Sequence, residues 1–185
     1  MKQVKKIIAI PGSTRESSTN LCLINAIIEL YSHKVEFNVF KDIAGIPHFN
    51  PDLDNGSPPA SVKDFRNQLK EADGILICTP EYAMGVPGTL KNAIDWTVSS
   101  MEFSHKPVAL ITASSVGQNA HRSLLETLNI IESDIPGGCQ LLISFAKTKV
   151  KDDKITDADT LEQVKNLMQT FISRIDKAGR TNVDF

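Results

Sequence analysis

Short apolar runs alternate along the chain with segments whose apolar residues recur every three or four positions. A continuous apolar run is typical of a strand buried on both faces, and the three-to-four spacing is typical of a helix with one buried face. The predicted strands are Val4–Ile10, Val35–Val39, Ile75–Cys78, Pro107–Ala113 and Cys139–Phe145. The predicted helices are Ser18–Tyr31, a segment that starts at Pro58 or Pro59, Gly88 to about Ser100, a segment with Leu124, Leu125, Leu128 and Ile131, and Ala158–Ile175.

This alternation predicts an α/β fold. Strands that are apolar on both faces need helices on both sides, which gives a three-layer, doubly wound sheet of five parallel strands. We expect residues 1–185 to form one domain, because that length fits a single core. Ligands of such sheets bind outside the carboxyl ends of the strands. The loops that begin at Pro11, Pro80 and Ser114 are therefore the candidates for chemistry.

Turn-forming residues predict the boundaries around the second helix. Residues 41–59 contain four prolines together with Asn55-Gly56, which predicts a long loop after the second strand. Ser57 is the predicted N-cap of the helix that follows. Gly74 is the predicted end of that helix, directly before the third strand.

Charge and composition exclude several classes of function. The 20 basic and 22 acidic side chains give a net charge of -2, so we expect neither a nucleic acid nor a membrane partner. No apolar run reaches the roughly 20 residues that span a bilayer, and the predicted location is the cytoplasm. The three cysteines lie far apart and are predicted to be structural thiols. The four histidines lack metal-ligand spacing, so no metal site is expected.

The first loop carries the residues expected of a phosphate site. Residues 11–20 include five hydroxyl side chains and Arg15, and they run directly into the first helix. A helix start offers unpaired N–H groups and a positive dipole end, and an arginine adds a cation, so the combination suits a phosphate monoester. The alternative is plain helix capping by Ser17, Ser18 or Asn20. The loop has neither a Gly-Lys-Ser/Thr triphosphate motif nor a dinucleotide fingerprint.

The second loop, Thr79 to Trp96, carries the most specific motif. It reads Pro-Glu-Tyr-Ala-Met-Gly-Val-Pro-Gly-Thr-Leu-Lys-Asn-Ala-Ile-Asp-Trp from Pro80 onward. With the Gly-Ser-x-Arg-x-x-Ser-x-Asn pattern from Gly12, it resembles the NAD(P)H-dependent FMN reductase family. The resemblance implies a flavodoxin-like fold with strand order 2-1-3-4-5. It also implies FMN as cofactor and NADPH or NADH as co-substrate.

The resemblance assigns individual residues to the flavin. It implies that the phosphate contacts Ser13, Arg15, Ser18 and Asn20 and that the ring is bordered by Pro80, Glu81, Tyr82 and Ala83. Ser114, Ser115 and Gly117 would lie near the pyrimidine edge of the flavin, and Thr19 and Gly85 are further predicted cofactor-binding residues. The family has Asn where this chain has Ala83, so any side-chain hydrogen bond from that position is absent. Glu81 has an alternative interpretation as a helix-end charge and Tyr82 as a packing residue. An ordinary strand-to-helix turn capped by Asn119 is the alternative for the third loop.

The predicted activity is an FMN-dependent oxidoreductase. NADH or NADPH would supply hydride, and a small acceptor such as free flavin, a quinone or an azo compound would be reduced in a ping-pong cycle, with no catalytic side chain because the flavin performs the chemistry. The alternatives are a flavodoxin-like electron carrier and a binding protein for another phosphorylated small molecule. We expect a homodimer or homotetramer. By the resemblance, His48 and Phe49 lie near the active site; the alternative is a surface loop anchored by Phe49 and Leu53.

Overall fold

The computed structural model describes the backbone of residues 4–181 and the side chains of residues 4–178. The strands of the main sheet are β1 (Lys6–Pro11), β2 (Glu36–Val39), β3 (Gly74–Thr79), β4 (Val108–Ala113) and β5 (Gln140–Ile143). The helices are α1 (Thr19–Tyr31), α2 (Ala60–Glu71), α3 (Gly88–Asp95), α4 (Gln118–Ile130), α5 (Ala146–Lys149) and α6 (Ala158–Thr181). Two further short strands, β6 (Val150–Lys151) and β7 (Lys154–Ile155), pair as an antiparallel hairpin.

The sheet confirms the predicted fold class and strand order. Its five strands lie in the order β2-β1-β3-β4-β5, and every neighbouring pair is parallel. The order reverses between β1 and β3, so the connections from these two strands leave toward opposite faces of the sheet. That switch point opens a crevice at the carboxyl edge.

Side chains of the central strands alternate between two apolar cores. On one face, Ile7 and Leu76 pack with residues of α1 and α6, including Leu23 and Phe171. On the other face the strand residues pack with α2, α3 and α4. Residues of β3 and β4 are buried throughout, as expected for strands covered by helices on both sides.

Two boundary predictions around α2 are wrong. Pro59 is the N-cap of α2 and makes no side-chain cap bond, whereas the Ser57 N–H donates to Asn55 Oδ1 in the preceding turn. Gly74 is the first residue of β3 and does not end α2, which stops at Glu71. A Cβ at Gly74 would lie 2.6 Å from Ile175 Cδ1, so this glycine serves the close packing of α6 on β3.

The later elements differ from the prediction at their ends. Helix α3 stops at Asp95 and not at about Ser100, and turns follow it. The fifth strand is shorter than predicted, because Cys139 ends a 3₁₀ turn and Phe145 has left-handed backbone. The hairpin of β6 and β7 was not predicted, because two-residue strands leave too short a pattern to recognise.

The three cysteines are free thiols. Cys78 and Cys139 are buried, and burial raises the pKa of the Cys139 thiol to about 11 and holds the pKa of Cys78 still higher above its usual range. Both thiols therefore stay protonated at neutral pH and act as small apolar residues. Within the described residues, no helix has the length and apolar character needed to cross a bilayer.

Candidate cofactor site at the carboxyl edge of the sheet

A cavity of about 420 Å³ lies at the carboxyl edge of the sheet. This size is within the range of roughly 300–1,000 Å³ that small-molecule sites occupy. The predicted site residues that line it are Ser13, Arg15, Ser18, Thr19, Asn20, Pro80, Glu81, Tyr82, Ser114 and Ser115. Ala83, Gly85 and Gly117 are not among its lining residues, although they lie in the same loops.

The start of α1 presents unpaired hydrogen-bond donors. Ser18 is the N-cap, and its Oγ accepts from Asn20 N at 3.2 Å. Within the described part of the chain, the N–H groups of residues 16–19 donate to no protein acceptor. The first turn of α1 has no acidic residue, and the exposed Arg15 guanidinium forms no ion pair with any described residue. The helix start therefore combines free donors, a dipole and a free cation, as an anion site requires.

Asn20 joins the first loop to the fourth strand. Its side chain is 3% exposed, and its Nδ2 donates to the Ala113 carbonyl oxygen at 3.1 Å. Its Oδ1 is buried without a hydrogen-bond partner in the structure. A buried amide oxygen left unpaired is costly, and a ligand hydroxyl that reaches it would satisfy it.

Gly12 lets the first loop lie directly against the end of β3. Its N–H donates to the Cys78 carbonyl oxygen at 2.8 Å, which continues the pairing of β1 with β3 by one residue. A Cβ at this position would lie 2.5 Å from Thr79 Oγ1 and 3.0 Å from Leu90 Cδ2. Any larger residue would push the first loop away from the second.

The side chain of Glu81 caps α4. Its Oε2 accepts from Ala120 N at 2.8 Å and its Oε1 from Gly117 N at 3.4 Å. The carboxylate thus pairs two free N–H groups at the positive end of the helix dipole. A helix-end charge is one of the two interpretations of Glu81 in the sequence, and its side chain has that role here. Contact with a flavin would come from its backbone.

The tip of the second loop is a self-contained turn. Tyr82 and Gly85 exchange two backbone hydrogen bonds of 3.0 and 2.9 Å, and Ala83 and Met84 between them have φ values of 47° and 60°. The Tyr82 hydroxyl lies 3.3 Å from Ser13 Oγ, so this tyrosine contacts the first loop across the cavity. The N–H groups of Tyr82 and Gly85 are used within the turn and are not free to meet a ligand.

The third loop supplies free backbone donors. Ser114 Oγ accepts from Glu81 N at 3.2 Å, so this hydroxyl ties the second and third loops together. The N–H groups of Ser115 and Val116 make no hydrogen bond to any described residue. Gly117 precedes α4 with φ of 93°, and a Cβ there would lie 2.8 Å from Leu142 Cδ1. Gly117 is therefore a turn residue, and α4 begins without the predicted alternative cap from Asn119.

A fourth loop, which is not among the loops predicted from the sequence, also lines the cavity. Phe145, Ala146, Lys147 and Thr148 follow β5 and line the same cavity, as does Ala113. Its position agrees with the tendency of ligands to bind at the carboxyl ends of parallel strands, since β5 ends at the same edge of the sheet. The sequence gives it no glycine pattern, and Phe145 lies inside the predicted fifth strand, so no loop is indicated at that position.

His48 and Phe49 do not line the cavity. Phe49 N donates to Asn92 Oδ1 at 2.7 Å, and the Phe49 ring meets the Trp96 ring edge-on at 5.1 Å between centroids. Trp96 Nε1 and Asn92 Nδ2 both donate to the Pro47 carbonyl oxygen. These contacts anchor the segment onto α3 and agree with the alternative of a surface loop held by Phe49.

A cluster of Arg66, Asp54 and Ser99 also fixes the long loop of residues 41–59. The Arg66 guanidinium donates to Asp54 at 2.7 Å and to the Trp96 carbonyl oxygen, and Ser99 Oγ also donates to Asp54. The Ser99 hydrogen bond, followed by Arg66, lowers the pKa of the Asp54 carboxyl. The cluster is occupied by structural contacts and is separate from the cavity.

These features define a class of protein. A flavodoxin-like sheet carries a candidate anion site at the start of α1, and this candidate site opens into a cavity beside the third loop, whose Ser115 and Val116 N–H groups are free. The free cation, the unpaired Asn20 Oδ1 and the cavity volume fit a cofactor with a phosphate, a hydroxylated linker and a flat ring, such as FMN.

Comparisons with known proteins agree with this class. The model of the family described as NADPH-dependent FMN reductase matches residues 5–148. An NAD(P)H-dependent FMN reductase of Pseudomonas aeruginosa is 32% identical over 181 residues, which cover 92% of this chain and 96% of that protein. A 2-hydroxy-1,4-benzoquinone reductase from a Burkholderia species is 31% identical over 179 residues, covering 91% of this chain and 93% of that protein.

A solved structure extends the likeness to three dimensions. FerB, a flavoenzyme NAD(P)H:(acceptor) oxidoreductase from Paracoccus denitrificans, superimposes with a TM-score of 0.82 at 28% identity, covering 94% of this chain and 98% of that one. The chain belongs to the NADPH-dependent FMN reductase family. It is an oxidoreductase that uses FMN and NADPH or NADH, which confirms the predicted cofactors and favours an enzyme over an electron carrier.

The cap formed by Glu81 leads to a prediction about stability. Glu81→Ala removes the acceptor of two helix N–H groups, so we expect the free energy of unfolding to fall by about 1–2 kcal/mol. Glu81→Gln keeps one oxygen acceptor and should lose less. Urea unfolding followed by circular dichroism measures the change. The matched control is Glu126→Ala, an exposed position on the same helix that should stay within about 0.5 kcal/mol of the parent. Equal stabilities of Glu81→Ala and Glu126→Ala would contradict the capping role.

Proposed function

We propose that the cavity binds FMN with its phosphate at the start of α1 and its ring between the second and third loops. The observation that carries this proposal is the run of free N–H groups at residues 16–19 beside the unpaired Arg15 guanidinium, in one cavity with Pro80, Glu81 and Ser115. When bound, FMN supplies the redox chemistry, taking hydride from the pyridine nucleotide and passing electrons to an acceptor.

The residues of the chain bind and orient the cofactor in this proposal. Ser13, Ser18 and Thr19 supply hydroxyls to the phosphate, and Arg15 supplies the charge. The unpaired Asn20 Oδ1 accepts from a hydroxyl of the linker. The N–H groups of Ser115 and Val116 meet the polar edge of the ring. The Glu81 carboxylate accepts hydrogen bonds from the start of α4, so no side-chain contact with the ring is assigned to it.

We further propose that the acceptor is a quinone or another flat conjugated molecule, including free flavin. Relatives named as reductases of a hydroxybenzoquinone and of flavin support this range of acceptors. The loops that would border the ring all line one cavity. We therefore propose that nicotinamide and a flat acceptor occupy the same space next to the ring in turn.

Steady-state kinetics tests this function. The purified, FMN-loaded protein should oxidise NADPH or NADH when benzoquinone is added, and initial-rate plots at several quinone concentrations should be parallel because the two substrates alternate at one site. Intersecting lines together with a detectable ternary complex would require two separate sites. Failure to oxidise either pyridine nucleotide with any acceptor would remove the proposed reaction.

The phosphate site has its own test. Arg15→Ala should weaken FMN binding by about 1–3 kcal/mol, the range for a charge-assisted hydrogen bond, while riboflavin binding stays unchanged because riboflavin has no phosphate. Fluorescence titration of the apoprotein measures both affinities. Arg122→Ala is the control, since Arg122 is exposed on α4 and lies outside the cavity. Unchanged FMN affinity in Arg15→Ala would contradict the phosphate site and favour the alternative that the first loop only caps α1.

We also propose that the protein is a homodimer or homotetramer. Phe49, Leu53 and Val98 are 38%, 46% and 53% exposed. They lie on neighbouring segments, since Phe49 packs on Trp96 and Asp54 accepts from Ser99. Exposed apolar residues gathered in this way are typical of a subunit interface.

Light scattering at micromolar concentration should give at least twice the monomer mass of 20.3 kDa. Val98→Glu should reduce that mass, because it introduces a charge into the apolar surface. Ile130→Glu, at a position that is 82% exposed on α4, is the matched control and should not change the mass. A monomeric parent protein would remove the proposal.

The proposed location is the cytoplasm. The described cysteines are all free thiols, two of them buried, and such thiols are typical of a reducing compartment. Fractionation of the source cells followed by immunoblotting tests this location. Recovery of the protein outside the cytoplasmic fraction would contradict it.

A further inference from the structure

Phe145 combines an unfavourable backbone conformation with an exposed ring. Its φ is 56°, in the left-handed region, which bulky residues rarely adopt. Its side chain is 67% exposed. The ring is outside both apolar cores and forms no aromatic pair with the described residues. The fold therefore gains little from this phenylalanine, and an outlier of this kind points to a function.

Backbone hydrogen bonds hold Phe145 in that conformation at the cavity. Its N–H donates to the Ser115 carbonyl oxygen at 3.1 Å, and the next N–H, of Ala146, donates to the Ser114 carbonyl oxygen at 3.0 Å. The Phe145 carbonyl oxygen accepts from both the N–H and the hydroxyl of Thr148, at 3.0 and 2.8 Å. The phenylalanine is thus attached directly to the third loop, which borders the proposed ring position.

A second exposed aromatic residue lies on the other side of that loop. Tyr82 is 48% exposed and lines the same cavity. Strand β4 lies between β3 and β5, so the loop at Ser114 and Ser115 lies between the loops that carry Tyr82 and Phe145. A flat ring bound above the third loop would therefore have Tyr82 at one edge and Phe145 at the opposite edge.

We propose that Phe145 is a binding residue for the flavin, and that its ring contacts the edge of the isoalloxazine ring of FMN opposite the edge that faces Tyr82, so that a face of the flavin stays open to the substrates. This inference rests on the proposed FMN site. Aromatic rings attract one another in offset-stacked or edge-to-face arrangements, and the contact buries the exposed surface of the phenylalanine. The left-handed backbone is retained because it directs this ring toward the cofactor.

The proposal predicts opposite effects on apoprotein stability and flavin affinity. Phe145→Asn removes the ring and introduces a residue that tolerates left-handed backbone. The apoprotein should therefore melt at a higher temperature than the parent. The dissociation constants of FMN and riboflavin should both rise by about three- to tenfold, because the lost contact is with the ring that the two flavins share. Phe145→Tyr keeps the aromatic ring and should bind both flavins within about twofold of the parent.

Asp152→Gly is the matched control for backbone strain. Asp152 has φ of 48° in the turn between β6 and β7 and does not line the cavity. Its replacement should raise the melting temperature without changing flavin affinity. A Phe145→Asn protein that binds FMN and riboflavin as the parent does, with or without a higher KM for the quinone, would overturn the proposal.

A fall in both apoprotein melting temperature and flavin affinity in Phe145→Asn would give the ring a structural role and would also overturn the proposal. The Arg15→Ala variant distinguishes a failure of the proposed FMN site from a failure of the proposed role of Phe145. Weaker FMN binding in Arg15→Ala with no effect of Phe145→Asn would reject only the role of Phe145. A parent protein that binds neither flavin would reject both.

Discussion

The pairing of β1 with β3 at the carboxyl edge of the sheet determines the rest of the site. Pro11 pairs with Cys78, and Gly12 continues the ladder with a hydrogen bond to Cys78. Because these strands are neighbours while their helices cover opposite faces, the first and second loops start at the same height and diverge. The cavity opens between them and is also lined by the third and fourth loops. Gly12 keeps the ends of β1 and β3 close together, because any side chain there would meet Thr79.

Local charge, rather than the net charge of the chain, is what suits the start of α1 to the proposed phosphate. The chain as a whole is slightly acidic, yet the first turn of α1 has no acidic side chain and Arg15 is free of described carboxylates. The acidic residue that lines the cavity, Glu81, is bound to the positive end of α4. The start of α4 is therefore paired with a protein carboxylate, whereas the start of α1 has no carboxylate from the described residues.

Sequence pattern predicted the fold and most of the first two loops because each depends on short-range signals. Buried strands such as β3 and β4 are continuous apolar runs, and the first loop concentrates hydroxyls at a helix start. The role of the Glu81 side chain has two interpretations in the sequence, because the hydrogen bond that decides it comes from Ala120, which is 39 residues away. Phe145 was missed because an apolar residue after a strand normally indicates packing, and its φ value cannot be read from its identity.

The turn from Tyr82 to Gly85 differs from the other loops in how it is closed. Its two backbone hydrogen bonds join its own ends, whereas Glu81, Ser114 and Phe145 link one loop to the next. Met84 at its tip is 73% exposed. A replacement of the Met84 side chain therefore leaves the hydrogen bonds that link the loops intact. The surface that this turn presents to solvent can thus be altered at Met84 without disturbing the framework that positions the cavity.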